Sequence, residues 1–186
     1  MKMKKLILTI SAFSLIAFGN IKAQTLYKAT NVEVSFFSKT PMEDINGKSI
    51  TATALINPEK KDLAFVIQNV SFQFPNKLMQ EHFNEKYMES EKYPLSQFRG
   101  TVQENIDLKV NGEYKVTVKG KLTIHGVEQE RTISGTIIVS EGKLELTSNF
   151  KVKNVDHKIE IPKLVVAKIA EELDVQVKAT LLPKVK

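Results

Sequence analysis

From Val116 onward the chain repeatedly alternates apolar and polar residues with a period of two, and this alternation restricts the fold more than any other feature. Val116, Val118, Gly120, Leu122 and Ile124 share one face of a strand, and Thr117, Lys119, Lys121, Thr123 and His125 share the other. Leu144, Leu146, Ser148, Phe150 and Val152 repeat the scheme, as do Leu173, Val175, Val177, Ala179 and Leu181. Half-buried antiparallel strands send successive side chains to opposite faces, whereas a helix would space its apolar residues three and four apart. Asn111-Gly112 and Glu141-Gly142 lie between strand-like runs and predict short hairpin loops, and Asn46-Gly47 and Asn57-Pro58 mark earlier turns. The pattern predicts about eight strands, at 26–39, 49–57, 62–74, 96–110, 113–124, 128–140, 143–154 and 172–182. The expected fold is all-β, an extended antiparallel eight-stranded barrel, because closure removes exposed strand edges.

Two segments break the alternation. Asn76 to Ser90 predicts a short helix near the barrel mouth, with Asn76 as N-cap and Met79, Phe83 and Tyr87 aligned at i, i+4 and i+8. Pro162 to Glu171 predicts a second short helix before the last strand, with proline in its first turn.

Residues 1–23 read as an export signal. Lys2, Lys4 and Lys5 precede an uncharged apolar run from Leu6 to Phe18, which is short for a bilayer span, and cleavage is expected after Ala23. The mature chain, 24–186, is then expected to be a single domain in the periplasm or outside the cell. It has no second apolar stretch of transmembrane length. There is no Cys, so neither a lipoprotein anchor nor a disulfide framework is available. The whole chain carries 27 basic and 21 acidic residues, but Lys2, Lys4, Lys5 and Lys22 belong to the signal, leaving 23 against 21. That near-neutral balance argues against a nucleic-acid partner.

Alternation alone does not say which face is dry. A small outer-membrane barrel also alternates, but its lumen would have to hold the many Lys and Glu side chains seen here. The chain also lacks Trp, has only four Tyr for two aromatic girdles, and does not end on an aromatic residue. With the apolar faces inward, Phe36, Phe65, Phe72, Phe74, Phe98 and Phe150 enter the interior. The residues alone leave two readings open: an ordinary filled core, which is the more common outcome, and a lipocalin-like cavity for one elongated ligand. A filled barrel would place function on its surface, and loop 38–47, with Pro41, Met42 and Ile45, is the candidate interaction patch.

Catalytic and metal chemistry find little support. His82, His125 and His157 share no local ligand spacing, so no metal site and no cofactor are expected. There is no nucleophile elbow and no glycine-rich phosphate loop. Glu81, Glu85, Glu89 and Glu91 read as a solvated helix face. An enzyme is not expected, although a site assembled from scattered strands would escape this reasoning. Arg99 and Arg131, the only arginines, are candidates for a phosphate head group.

Three segments resemble the YceI-like family of secreted lipid-binding barrels. Residues 78–100 carry His82, Phe83, Lys92, Tyr93, Pro94 and Phe98; residues 120–127 read GKLTIHGV; and residues 150–177 contain Asp156, Ile159 and Pro162. His157 departs from the pattern, in which a Tyr is expected after the Asp. The resemblance spans essentially the whole mature chain. It implies an extended lipocalin-like barrel with an apolar pore, no accepted catalytic motif, and a long isoprenoid or fatty-acyl chain as partner. It moves the cavity ahead of the filled core. The residues expected to line the pore and bind ligand are Phe72, Phe74, Leu78, Phe83, Tyr87, Phe98, Leu122, Ile124 and Phe150, taken as a set.

Overall fold

The computed structural model describes residues 25–185; the signal expected at 1–23 lies outside them. Nine strands form one antiparallel sheet. They are β1 (Thr25–Lys39), β2 (Asp44–Ser49), β3 (Thr53–Asn57), β4 (Asp62–Gln68), β5 (Leu95–Val102), β6 (Gly112–Ile124), β7 (Val127–Ser140), β8 (Lys143–Lys153) and β9 (Glu172–Val185). One edge of β1 pairs with β9 from Thr25↔Val185 to Phe37↔Asp174. Its other edge pairs with β3 near Tyr27↔Ile56 and with β2 from Val34↔Ser49 to Lys39↔Asp44. β2 and β3 are therefore two halves of one stave, interrupted at residues 50–52, and the nine strands close an eight-staved barrel.

Local chemistry explains the hairpins. The β6–β7 turn holds His125 and Gly126 at φ 51° and 72°, and the β7–β8 turn holds Glu141 and Gly142 at φ 50° and 77°. Paired positive φ values at a two-residue loop give the turn whose twist matches the flanking strands. The expected Glu141-Gly142 hairpin is thus present.

Four sequence expectations are corrected. Asn46-Gly47 is not a turn but lies inside β2, opposite Phe37 and Phe36. A Cβ at Gly47 would run into the Phe36 ring, 2.6 Å from Cζ, so this glycine serves packing, not chain reversal. Asn111-Gly112 is not a hairpin either, because β5 stops at Val102 and a longer loop, 103–111, returns to β6. The strand expected at 62–74 ends at Gln68. There the Asn69 side chain, fully buried, donates to the Tyr93 carbonyl at 2.6 Å and accepts from Ser96 Oγ at 2.7 Å, fixing a turn in place of a strand. Finally, the segment expected as a second helix forms successive turns, closed by Val165 N–H to Pro162 O and Lys168 N–H to Val165 O. Val165, Val166 and Ile169 are β-branched residues that helices disfavour, and the i→i+3 bonding leaves Leu164 and Val166 exposed.

The barrel ends differ. Loop 103–111 folds across one end, where Leu108 is buried and its carbonyl accepts from the Tyr27 hydroxyl at 3.3 Å. Ile137, Leu144 and Leu181, all fully buried, complete the floor, and a second cavity of about 380 Å³ lies between it and loop 103–111. The other end carries the β1–β2 loop, the helix, and residues 154–171. Among the described residues no helix is long and apolar enough to cross a membrane. Leu108→Ala should lower the unfolding free energy in a urea titration by about 2–4 kcal/mol, through lost burial and a residual void. Val110→Ala, at an exposed position of the same loop, should change it by less than about 0.5 kcal/mol.

Candidate ligand cavity

Above the floor the barrel is hollow. A cavity of about 460 Å³ runs between the floor and the open end, so the apolar faces do not meet as an ordinary filled core. Its wall is built from inward positions of the staves: Val34 and Phe36 on β1, Phe65 and Ile67 on β4, Phe98 on β5, Val116, Val118, Leu122 and Ile124 on β6, and Leu146 and Phe150 on β8. All nine sequence-selected residues border it. Phe72 and Phe74 enter from the segment after β4, and Leu78, Phe83 and Tyr87 enter from the lid.

The lid begins with α1 (Lys77–His82), capped as expected by the Asn76 side chain, which accepts from Leu78 N–H at 2.8 Å. It then widens into a π-helical turn, Phe83–Tyr87, in which Met88 N–H reaches the Phe83 carbonyl at 2.8 Å. The extra residue in that turn alters the face expected from strict i, i+4 spacing. Met88 joins Met79, Phe83 and Tyr87 at the cavity and is itself buried. Glu89, at φ 42°, reverses the chain, and Ser90 N–H closes the end on the Asn84 carbonyl at 2.8 Å.

An aromatic cluster joins lid to wall. Phe36 stacks on Phe83 at 5.5 Å between centroids, Phe72 and Phe74 meet Phe36 edge-on at 5.4 and 5.8 Å, and Phe74 lies 5.0 Å from Phe83. Offset and edge-on pairs of this kind each contribute about 0.5–1.5 kcal/mol beyond area burial. Phe36 and Phe65 also border the cavity, beyond those nine, and period-two spacing from Val34 through Phe36 is the sequence signal for the first. Ile161 and Ile169, in the closing segment, carried no such signal, because their position follows from the path of irregular turns.

Several polar groups at the wall are bonded to neighbouring groups. Ser38 Oγ accepts from Ala170 N–H at 2.8 Å, Ser96 Oγ donates to Asn69 Oδ1, and Ser148 Oγ donates to the Ser134 carbonyl at 2.7 Å. At the mouth Lys168 Nζ lies 3.8 Å from Glu43 Oε2. The surface left for a ligand is therefore chiefly hydrocarbon. Arg99 is exposed on β5, and the Arg131 guanidinium donates to the Lys151 carbonyl outside the cavity, so the two arginines do not form a head-group site.

The wall is also unevenly bonded. β7 pairs with β8 only from Gly135↔Ser148 to Ser140↔Lys143. Above that point β7 bonds to β6 alone and β8 to β9 alone, and side chains bridge the gap. Gln129 Nε2 donates to the Asp156 carbonyl at 2.6 Å, and His157 Nδ1–H donates to the Val127 carbonyl at 3.1 Å.

The histidines are thereby separated. His82 borders the cavity at the lid. His125 packs its ring 4.6 Å from Tyr93, with Nε2 2.7 Å from Glu89 Oε2 and Nδ1 3.2 Å from the His157 carbonyl, which fastens the lid's end to the β6–β7 turn. His157 has no exposed surface, and its Nε2 has no partner among the described residues. Among the described residues no group of three His, Asp or Glu could hold a metal ion.

The sequence matches the YceI-like domain family over residues 24–181, and the chain belongs to that family. No curated protein matches it. A polyisoprenoid binding domain from Saccharophagus degradans implicated in plant cell wall breakdown is 16% identical, with TM-score 0.73, covering 88% of this chain and 100% of that one. Burkholderia cenocepacia BcnA is 18% identical, with TM-score 0.67, over 80% and 95% of the two chains. The Campylobacter jejuni YceI protein is 17% identical, with TM-score 0.57, over 99% and 100%. At these identities the shared property is the fold.

Burial lowers the pKa of His157 below its ordinary 6.5. The folded protein thus holds the imidazole neutral where the unfolded chain would protonate it. The associated stability is complete above about pH 6.5 and is lost as the pH falls toward the depressed folded value. In urea titrations, wild type should lose more stability than His157→Phe between about pH 7.5 and about pH 5. Parallel pH profiles would contradict the neutral buried imidazole.

Proposed function

We propose that the protein is a binding and carrier protein for one long apolar lipid, a polyisoprenoid or a fatty-acyl chain, held in the barrel cavity. The observation that carries this reading is the cavity of about 460 Å³, hydrocarbon-walled, closed by buried aliphatic residues at one end and an aromatic lid at the other. Family membership and the polyisoprenoid binding named for the Saccharophagus degradans domain agree with it.

Hydrocarbon burial supplies the affinity. Each methylene withdrawn from water contributes about 0.8 kcal/mol. At about 25 Å³ per carbon, the ratio at which benzene fills an apolar void of about 150 Å³, the cavity takes roughly 18 carbons. An acyl chain would fit whole, and a longer polyisoprenoid would leave its remaining units and head group at the mouth. Binding proceeds by displacement of the lid or the closing turns, followed by threading of the tail past the Phe36–Phe83 stack. The nine residues Phe72, Phe74, Leu78, Phe83, Tyr87, Phe98, Leu122, Ile124 and Phe150 serve as lining and not as catalytic groups.

The role assigned is transport or sequestration without catalysis, in the periplasm or outside the cell. Residues 1–23 act as the export signal and 24–186 as the single mature domain.

Delipidated protein should take up a prenyl alcohol or fatty acid, and Phe98→Asp with Phe150→Asp should abolish that uptake. Because buried carboxylates can unfold a barrel, Leu122→Trp provides a second arm. It fills space without adding charge and should weaken uptake by at least about tenfold at an overpacking cost of about 1–3 kcal/mol. Unchanged uptake in a folded Leu122→Trp variant would contradict the lining assignment.

A further inference from the structure

We propose that the floor is a movable partition, and that the cavity beneath it is a second compartment of the lipid site. It takes the far end of a polyisoprenoid too long for the upper cavity. The inference rests on the lipid-carrier reading above and extends it to chains of about thirty carbons.

The two cavities come within one residue of each other. Ile56, on β3, lines both of them. Twice more a cross-strand pair is divided between them. Val118 lines the upper cavity and its partner Val102 the lower, and Leu146 lines the upper and its partner Ile137 the lower. Cross-strand partners share one face of the sheet, so a single layer of side chains forms the partition. All five of these residues are buried and aliphatic. Their side chains make no hydrogen bonds, so a change of rotamer opens the layer without leaving a buried donor or acceptor unpaired.

The lower compartment is held open by its own loop. Loop 103–111 is anchored at its start, where Gln103 N–H donates to the Thr117 carbonyl at 2.9 Å and Glu104 Oε2 accepts from Thr117 N–H at 2.8 Å. Near its end the Tyr114 hydroxyl donates to the Val110 carbonyl at 2.9 Å. Between these anchors Ile106 and Leu108 pack toward the core and line the lower cavity together with Ile56, Val102 and Ile137. Its polar lining residues, Lys61, Glu104, Asn105 and Asp107, are half-buried or exposed, so the hydrocarbon lies inward and the polar groups outward. At about 25 Å³ per carbon the space takes roughly 15 carbons more. Each methylene moved into it from water at the mouth tightens binding about three- to fourfold. A chain too long for the upper cavity thus has a place for its surplus other than the mouth.

The test uses prenyl alcohols of three and of six isoprene units, each carrying a photoreactive diazirine at the end remote from the hydroxyl. After irradiation, peptide mapping by mass spectrometry locates the label. The six-unit alcohol should label loop 103–111, and the three-unit alcohol should label residues of the upper cavity. Ile106→Trp, which fills the lower compartment, should weaken binding of the six-unit alcohol by about tenfold or more. It should leave the affinity for the three-unit alcohol unchanged, which also reports a folded variant; if it loses both alcohols, the wild-type labelling decides. The proposal is overturned if the six-unit label falls only on the upper cavity and the mouth, or if Ile106→Trp binds both alcohols as wild type does. Binding of neither alcohol by wild type overturns the carrier reading as well. Binding of both with no label on the loop sinks the second compartment alone, so the two failures are separable.

Discussion

Closure of the sheet on itself, by the long pairing of β1 with β9, is the constraint on which the rest depends. Where its strands are paired, the wall satisfies its backbone donors and acceptors internally, and the upper β7–β8 seam is bridged by side chains instead. The wall can therefore hold its shape without a fully packed interior. Buried aliphatic residues, Leu108, Ile137, Leu144 and Leu181, close the floor, and the space above is left to hydrocarbon walls.

The two ends divide the work of stability and access. Strand ladders and buried aliphatic residues hold the floor. Near the mouth, the β7–β8 seam, the lid and the closing turns are held by side-chain hydrogen bonds, including His125 to Glu89, His157 to Val127 and Ser38 to Ala170. Fewer backbone bonds connect these parts, so local opening is expected there before the floor gives way. The π-helical turn gives the lid two methionines beside its aromatic residues, and methionine adapts readily to irregular apolar surfaces.

Much of this was legible in the sequence, for physical reasons that differ by element. β6 through β9 were readable because alternation is strict and the Glu141-Gly142 turn supplies the positive φ values that its hairpin requires. The stave formed by β2 and β3 was only half readable. Asn46-Gly47 has turn chemistry, yet Gly47 is there to admit the Phe36 ring, a demand made by a neighbouring strand. The early end of β4 depends on Asn69 finding Tyr93 and Ser96, partners more than twenty residues away. The second helix failed because proline at a first turn is a weak signal against a run of β-branched residues. Phe98, Leu122, Ile124 and Phe150 border the cavity because period-two spacing gives their strands an inward face, whereas Phe72 and Phe74 reach it from the irregular segment after β4 and the π turn shifts the face of the lid. Which other residues close the cavity, such as Phe36 and Ile161, follows from register and loop path.

Native mass spectrometry of the protein purified from its own cells without detergent, followed by organic extraction, tests the central claim most directly. The account predicts a discrete bound mass that dissociates on extraction and is recovered as a polyisoprenoid or acyl lipid. A bare protein mass, together with no uptake from a panel of prenyl and acyl lipids, would contradict it.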